Sequence, residues 1–356
     1  MLIREMIEQN ECQFLSPLAA LAVNSRGRKS KETECPLRTV YMRDRDRIIH
    51  SEAFRRLKHK TQVFFSPSND HFRTRLTHTL EVSQISRTVA KALRLNEDLT
   101  EALALGHDLG KARFGHAGER TLAALSTTGF HHALQSYRIV DFLDDGGFNL
   151  TFEVHDGILK HSKRSGPIHA RDNNDLPATL EGEIVRMCDR IAYLNHDLDD
   201  SLRADILRQE EIPEWILEKF GQSHSRRIHT MVEDLIRNSR EKPRISLSSG
   251  MAEDSDRFKD FMYKQVYHHP AILEESRKTE FVLSTLFRYF IDNPRIIEEK
   301  MGDIQYPEPV SLETMVIDYL SMMTDDFAML TYENYILPKK WFIFDRSKPD
   351  KRSGKK

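Results

Sequence analysis

The chain has 356 residues, with 53 Lys+Arg against 55 Asp+Glu, a formal net charge of -2, 39% hydrophobic and 30% charged residues. This is the length and composition of a folded chain with a sizeable core, and the near-neutral balance excludes a protein that coats nucleic acid through global positive charge. No apolar run approaches the roughly 18–20 residues of a membrane span, and three scattered cysteines, Cys12, Cys35 and Cys188, exclude a disulfide framework or a CxxC site. Arg4, Glu5 and Glu8 interrupt the first turns, so no signal-peptide apolar stretch is read there and a cytoplasmic location is expected.

In chain order, residues 1–36 have mixed composition and read as an N-terminal arm that packs elsewhere, on a neighbouring subunit. Residues 37–205 read as the core, 206–347 as a helical C-terminal region completing the fold, and 348–356 as a basic, disordered tail. Leu76, Leu80, Ile85, Val89 and Leu93 recur at helical intervals over 76–94. Asp98-Leu99-Thr100-Glu101 has the form of a capping box opening a helix that ends near Gly106–Gly110. Asp144-Asp145-Gly146-Gly147 is a turn, and 163–177 is a loop rich in Gly, Pro, Asn and Asp. Residues 180–203, 208–220, 224–240, 256–268, 279–290 and 311–329 again show helical periodicity. The fold class expected is all-α.

Some of these segments carry chemistry. His78, the pair His107-Asp108, and Asp189 fall on helical segments, and two imidazoles with two carboxylates suit a divalent metal that keeps positions open. A lone histidine on an amphipathic helix is more often a satisfied core or surface residue. On a helical wheel, however, Asp189, Tyr193 and Asp197 drift only about 80°, with Arg186 and Arg190 on the same side. Ile184, Cys188, Ile191, Leu194, Leu198 and Leu202 form the opposite seam. The bland reading of that polar face is a solvated one.

His116 and Glu119 stand at i, i+3, so that one carboxylate can orient one imidazole for acid–base work. Gly106-x-x-x-Gly110-Lys111 is not a P-loop: it is one residue short, lacks the Ser/Thr after the lysine and follows no strand. Residues 41–75 hold nine basic residues against four acidic ones, and Arg75 lies one turn before His78, where it can clamp phosphate oxygens.

Together these segments resemble a known family. The order His78 … His107-Asp108 … Asp189 resembles the H…HD…D pattern of HD-domain phosphohydrolases. RDRDRIIHSEAFRRLKHKTQVF (43–64), FRTRLTHTLEV (72–82), GHDLGKARFGHAGER (106–120), DRIAYLNHDLDD (189–200) and MTDDFAML (323–330) resemble segments of the deoxyguanosinetriphosphate triphosphohydrolase-like proteins, over roughly residues 38–335. The resemblance implies an HD-domain helical core with additional C-terminal helices. It implies His78, His107, Asp108 and Asp189 as metal ligands, for Mg²⁺ or Mn²⁺ first and Fe, Co, Ni or Zn otherwise. His116 and Glu119 match the catalytic pair, and His132 a further active-site histidine. Arg75 and Arg190 match phosphate contacts, Tyr193 and Asp197 match residues under and beside the deoxyribose, and Gln62 matches a glutamine near the sugar. The reaction implied is hydrolysis of a dNTP to deoxynucleoside and intact triphosphate, in a homo-oligomer.

Three positions depart from the family pattern. Lys111 stands where a histidine is usual and reads as a phosphate clamp, while His131 and His155 alter two further segments. Two other readings follow from these changes and the basic segments. One is an HD phosphohydrolase for a nucleotide monophosphate or an alarmone. The other is a non-catalytic protein binding a nucleotide or, weakly, single-stranded nucleic acid.

Overall fold

A computed structural model describes residues 1–63, 71–162 and 175–339. The basic tail at 348–356 and most of the loop expected at 163–177 lie outside the described residues. Those residues hold α1 (Ile3–Phe14), α2 (Val40–His50), α3 (Glu52–Arg56), α4 (Arg75–Leu93), α5 (Glu97–Gly106), α6 (Gly115–Leu125), α7 (His132–Arg138), α8 (Phe152–Lys160) and the long α9 (Leu180–Arg203). Seven more follow: α10 (Glu214–Phe220), α11 (His224–Ser239), α12 (Ser249–Met262), α13 (Pro270–Asp292), α14 (Pro294–Met301), α15 (Leu312–Met322) and α16 (Asp325–Tyr335). The only extended pairings among the described residues are two isolated bridges, Arg28 with Thr151 and Thr61 with Thr74. The all-α expectation holds, and no described helix is long and apolar enough to cross a membrane.

The helix starts follow local chemistry. Thr74 caps α4 by accepting from Thr77 N, and Thr179 caps α9 by accepting from Gly182 N. The start of α5 differs from expectation. Asn96, not Asp98, is the cap, accepting from Leu99 N. Asp98 and Glu101 instead turn outward to Arg45 on α2, at 3.2 Å each. An amide next to the chain reversal reaches the open N–H, while the carboxylates find a cation on the neighbouring helix. Pro213 breaks the span expected at 208–220, and the span at 311–329 divides into α15 and α16 around the capping residue Thr324.

Two cores organise these helices. The first joins α2, α4, α5, α8 and α9 and runs on through Leu207, Phe220, Met231, Leu235, Phe258 and Met262, so residues 206–266 share the core of the N-terminal half. Leu194 and Leu198 of α9 are fully buried there. Truncating either to Ala would cost about 2–5 kcal/mol. The second core packs α6 against α13 through Leu122, Leu283, Leu286 and Phe290, and continues into α14–α16. The segment 107–119 lies where the two cores meet.

The N-terminal residues are strapped to their own chain. Arg28 pairs with the buried Asp44 and donates to Asn149 O, Ser16 N donates to Arg94 O, and Ala20 N donates to Glu181. Each contact satisfies a polar group at the surface of the first core, which is why this stretch lies down instead of projecting.

Candidate metal centre and nucleotide cleft

The cluster is built from three helices of the first core. α4 brings His78, the end of α5 brings His107 and Asp108, and α9 brings Asp189. His78 Nε2 lies 3.1 Å from Asp189 Oδ1, and His107 Nε2 lies 3.8 Å from both Asp189 Oδ1 and Asp108 Oδ2. His107 Nδ1 donates to Ala104 O at 2.6 Å, which turns the Nε2 lone pair inward. That atom is buried and has no hydrogen-bond partner. His78, His107 and Asp108, grouped around an unpartnered Nε2, fit a divalent metal, with Asp189 beside both imidazoles. Burial works against both aspartates, but their neighbours hold each carboxyl well below the usual range: His107, Lys111 and Arg75 around Asp108, and the hydrogen bond with His78, then His107, at Asp189.

Close backbone approach completes the centre. A Cβ on Gly110 would lie 2.1 Å from Ser136 N, so only glycine lets the chain after Asp108 touch α7. That contact delivers His132 at the start of α7. Phe114 and Gly115 both take the left-handed conformation, which turns the chain sharply into α6. Asp325 of α16 accepts from Phe114 N at 2.9 Å and from Thr61 N at 2.8 Å, tying the second core to both walls of the site. This gives the 323–330 segment a structural role at the site.

The expected residues do not all meet as the sequence suggested. Glu119 does not orient His116. Its Oε1 accepts from His132 N at 3.0 Å and stands 2.7 Å from His132 Nδ1, and its Oε2 pairs with Lys111 at 3.3 Å. The physical reason is the first turn of α7, whose open N–H draws a carboxylate. Burial opposes charge on Glu119, yet Lys111 and His132 hold it well below the usual carboxylate range. His116 instead faces the cleft, with its ring 5.9 Å from that of Tyr267. Its surface is open to the cleft, but protein walls the cleft. Desolvation, with Lys111 and Arg75 adding to it, pushes this imidazole down to about 3.

Arg75 is buried against the centre, donating to Asp108 Oδ2 at 2.8 Å and to the carbonyls of Thr61 and Gln62 at 3.2 Å each. Gln62 Oε1 is buried without a protein partner. Arg190 is drawn to Asp256 of α12. Tyr193 is half-buried on the face of α9 that carries Asp189 and Asp197, and burial raises its hydroxyl to about 12. Asp197 accepts from the Tyr267 hydroxyl through Oδ2 and keeps Oδ1 buried and unpartnered. On the polar face of α9 Asp197 is therefore buried, while Arg186, Asp189, Arg190 and Tyr193 are half-buried, so the face is not simply a solvated one. A cavity of about 390 Å³ opens beside the centre, lined among others by His116, Glu119, Arg120, Tyr263 and Tyr267.

Much of the basic block at 41–75 is neutralised. Arg43 and Arg47 pair with Glu32, Arg45 with Asp98 and Glu101, Arg56 with Asp144, and Arg73 with Glu81, Asp199 and Asp200. His131 stacks on His132 at 4.8 Å, while His155 packs edge-on to Tyr137. Sequence reasoning missed Tyr267, His161 and His196. His78 Nδ1 lies 3.1 Å from His196 Nδ1, which makes His196 a support for the first imidazole. The i, i+4 pair Tyr263 and Tyr267 was a signal for a helix face, but nothing in the sequence aimed that face at Asp197.

The HD domain model matches residues 75–194, and the phosphohydrolase-associated domain model matches residues 245–334. A deoxyguanosinetriphosphate triphosphohydrolase-like protein from Caldanaerobacter subterraneus is 48% identical, with 97% of this chain and all of the relative covered. Proteins of the same name from Desulfatibacillum aliphaticivorans and Clostridium tetani are 46% and 42% identical; 95% of this chain is covered in each case, with 99% and 97% of the relative. With the buried His–Asp cluster inside the matched HD segment and the similarity running nearly end to end, the chain belongs to the deoxyguanosinetriphosphate triphosphohydrolase-like proteins of the HD-domain family.

Proposed function

We propose that the chain hydrolyses a deoxynucleoside triphosphate to a deoxynucleoside and intact triphosphate. The observation that carries this reading is the pairing of a metal-competent cluster with an adjoining enclosed acceptor, the unpartnered Oδ1 of Asp197. His78, His107, Asp108 and Asp189 would hold a divalent ion, which supplies a Lewis acid for the phosphate and for a water at neutral pH. Asp197 accepts a hydroxyl of the sugar, and the Tyr267 hydroxyl fixes its carboxylate plane. Tyr193, on the same side of α9, packs beneath the ribose ring and leaves a 2′-hydroxyl no partner.

Lys111 and Arg75 place two cations beside the cluster, where they offset polyphosphate charge. A water oxygen bonds to the α-phosphorus and gives up a proton to solvent as the bond to the sugar 5′-oxygen breaks; triphosphate is released, and the departing 5′-oxygen needs a proton. His116 is an imidazole that faces the cleft beside Glu119. Its proton affinity is held down by desolvation and by Lys111 and Arg75. An anionic substrate beside those two cations cancels the second part and lifts the imidazole toward a working range. The role of Glu119 is to hold His132 and Lys111 in place rather than to share a proton with His116.

The test is a panel of the four dNTPs with Mn²⁺ or Mg²⁺ and separation of the phosphate products. Triphosphate and deoxynucleoside are expected. Release of only orthophosphate or pyrophosphate from all four would overturn the reading and point to another nucleotide.

A further inference from the structure

We infer that Lys60 is a positioning residue that sets the spacing of the two cations beside the cluster, Arg75 and Lys111. It reaches both through their backbone. Lys60 follows the short helical turn Leu57–His59, and its carbonyl accepts at 3.0 Å from the N–H of Arg75, the first residue of α4. Its Nζ donates to Lys111 O at 2.6 Å and to Ser321 O at 3.3 Å. The Lys111 peptide is also held from its other side, where Lys111 N donates to Asp108 O at 3.0 Å. The chain is thus pinned before and after the Lys111 Cα. From there the side chain runs to Glu119 Oε2, 3.3 Å from its Nζ.

An amine is a costly way to fill this position. Lys60 is 2% exposed, and both of its acceptors are uncharged carbonyls. Burial, with Arg56 and Arg113 adding to it and Asp325 opposing, pushes the amine down to about 7. An apolar side chain of the same length would avoid that desolvation, so packing does not account for the nitrogen. The nitrogen answers two open acceptors at once. Ser321 O belongs to the last turn of α15, whose carbonyls lack helical partners, and Lys111 O lies in the loop after the cluster. Loss of one proton still leaves two N–H bonds, one for each carbonyl, so the clamp persists across neutral pH. One side chain therefore ties the second core to the loop that carries Lys111, while its own carbonyl fixes Arg75.

The inference rests on the proposed role of Arg75 and Lys111 toward phosphate, and its test uses inorganic triphosphate instead of turnover. Calorimetry on the full chain follows Mn²⁺ alone, then triphosphate added to the Mn²⁺-saturated protein. Lys60→Met keeps the length and removes the donor. It should weaken triphosphate binding by about 10-fold, the size of one hydrogen bond, and leave Mn²⁺ affinity unchanged. A merely structural role would move both affinities or neither. Added to Lys111→Met, Lys60→Met should cost nothing further, because the amine acts through Lys111. Full additivity, wild-type triphosphate affinity in Lys60→Met, or an equal loss of Mn²⁺ affinity would overturn the inference. Should Lys60→Met melt below the assay temperature, Lys60→Gln, whose amide falls one bond short of the carbonyls, takes its place with the same outcomes. A wild type that binds no triphosphate would defeat the phosphate role of the two cations together with the inference. Triphosphate binding with none released from any dNTP would defeat only the proposed reaction.

Discussion

Asp189 and Asp197 lie two turns apart on one helix, share one face and are driven to opposite states. Asp189 meets His78 at 3.1 Å and His107 at 3.8 Å. Burial opposes its charge, but the two histidines overcome it and the carboxyl sits well below the usual range. Asp197 is buried with a neutral hydroxyl as its close partner, and burial dominates there, pushing the carboxyl up to about 7. The residue type and the helix are the same. What differs is which element packs opposite: α4 and the end of α5 bring imidazoles, while the segment after α12 brings Tyr267. The comparison teaches that a carboxylate's task is set by the group packed against it. One end of the face suits a cation and the other a hydroxyl.

The sharpest way to break that contrast is to neutralise each end in turn. Asp189→Asn should abolish tight Mn²⁺ binding and lower kcat/KM for a dNTP by about 10³-fold or more, the loss expected when several kcal/mol of metal-derived stabilisation go. Calorimetric titration and steady-state kinetics check it. Asp197→Asn should leave Mn²⁺ affinity unchanged and lower kcat/KM for deoxynucleotides by about 10-fold, the size of one hydrogen bond. Equal loss of metal binding in both variants would show that the two ends are not separate.

Glu119→Gln loosens the contact to His132 and the ion pair to Lys111 without touching the first imidazoles. A fall of about 10-fold in activity is expected, the lower range for residues that orient ligands. A fall as large as that of Asp189→Asn would place Glu119 among the reacting groups.

The smallest effect concerns stability and follows from the sign of the Asp197 shift. Its carboxyl rises from 3.8 to about 7 on folding. Between those values the folded chain holds a proton that the unfolded chain has released, so this group's stabilisation is full below the lower value and is lost as pH rises through about 7. In metal-free protein, melting followed from about pH 5 to about pH 8 should show the wild type losing more stability than Asp197→Asn, by on the order of 1 kcal/mol. A parallel pair of curves would contradict the assignment.

Much was legible before any coordinates. The periodicity of 76–94 and 180–203 located α4 and α9 to within a residue or two, because each helix has one unbroken apolar seam that must be buried. The four residues His78, His107, Asp108 and Asp189 do converge, since their positions on seam-defined helices place them on facing sides. Local pairing rules did less well. The i, i+3 spacing linked Glu119 to His116, but the open start of α7 competes for that carboxylate and takes it. The net +5 of residues 41–75 suggested a phosphate-attracting patch, yet its arginines meet acids that lie up to 127 positions away.

By itself the sequence determined the helical class, the main core helices and the residue types able to hold a metal, because these depend on periodicity and on intrinsic side-chain chemistry. The tertiary structure alone decided which carboxylate stays ionised, which imidazole Glu119 holds, and that Tyr267 and His196 belong to the site. Those outcomes depend on distances between segments far apart in the chain. Burial then magnifies every such neighbour, since charges screened in water act strongly where water is excluded.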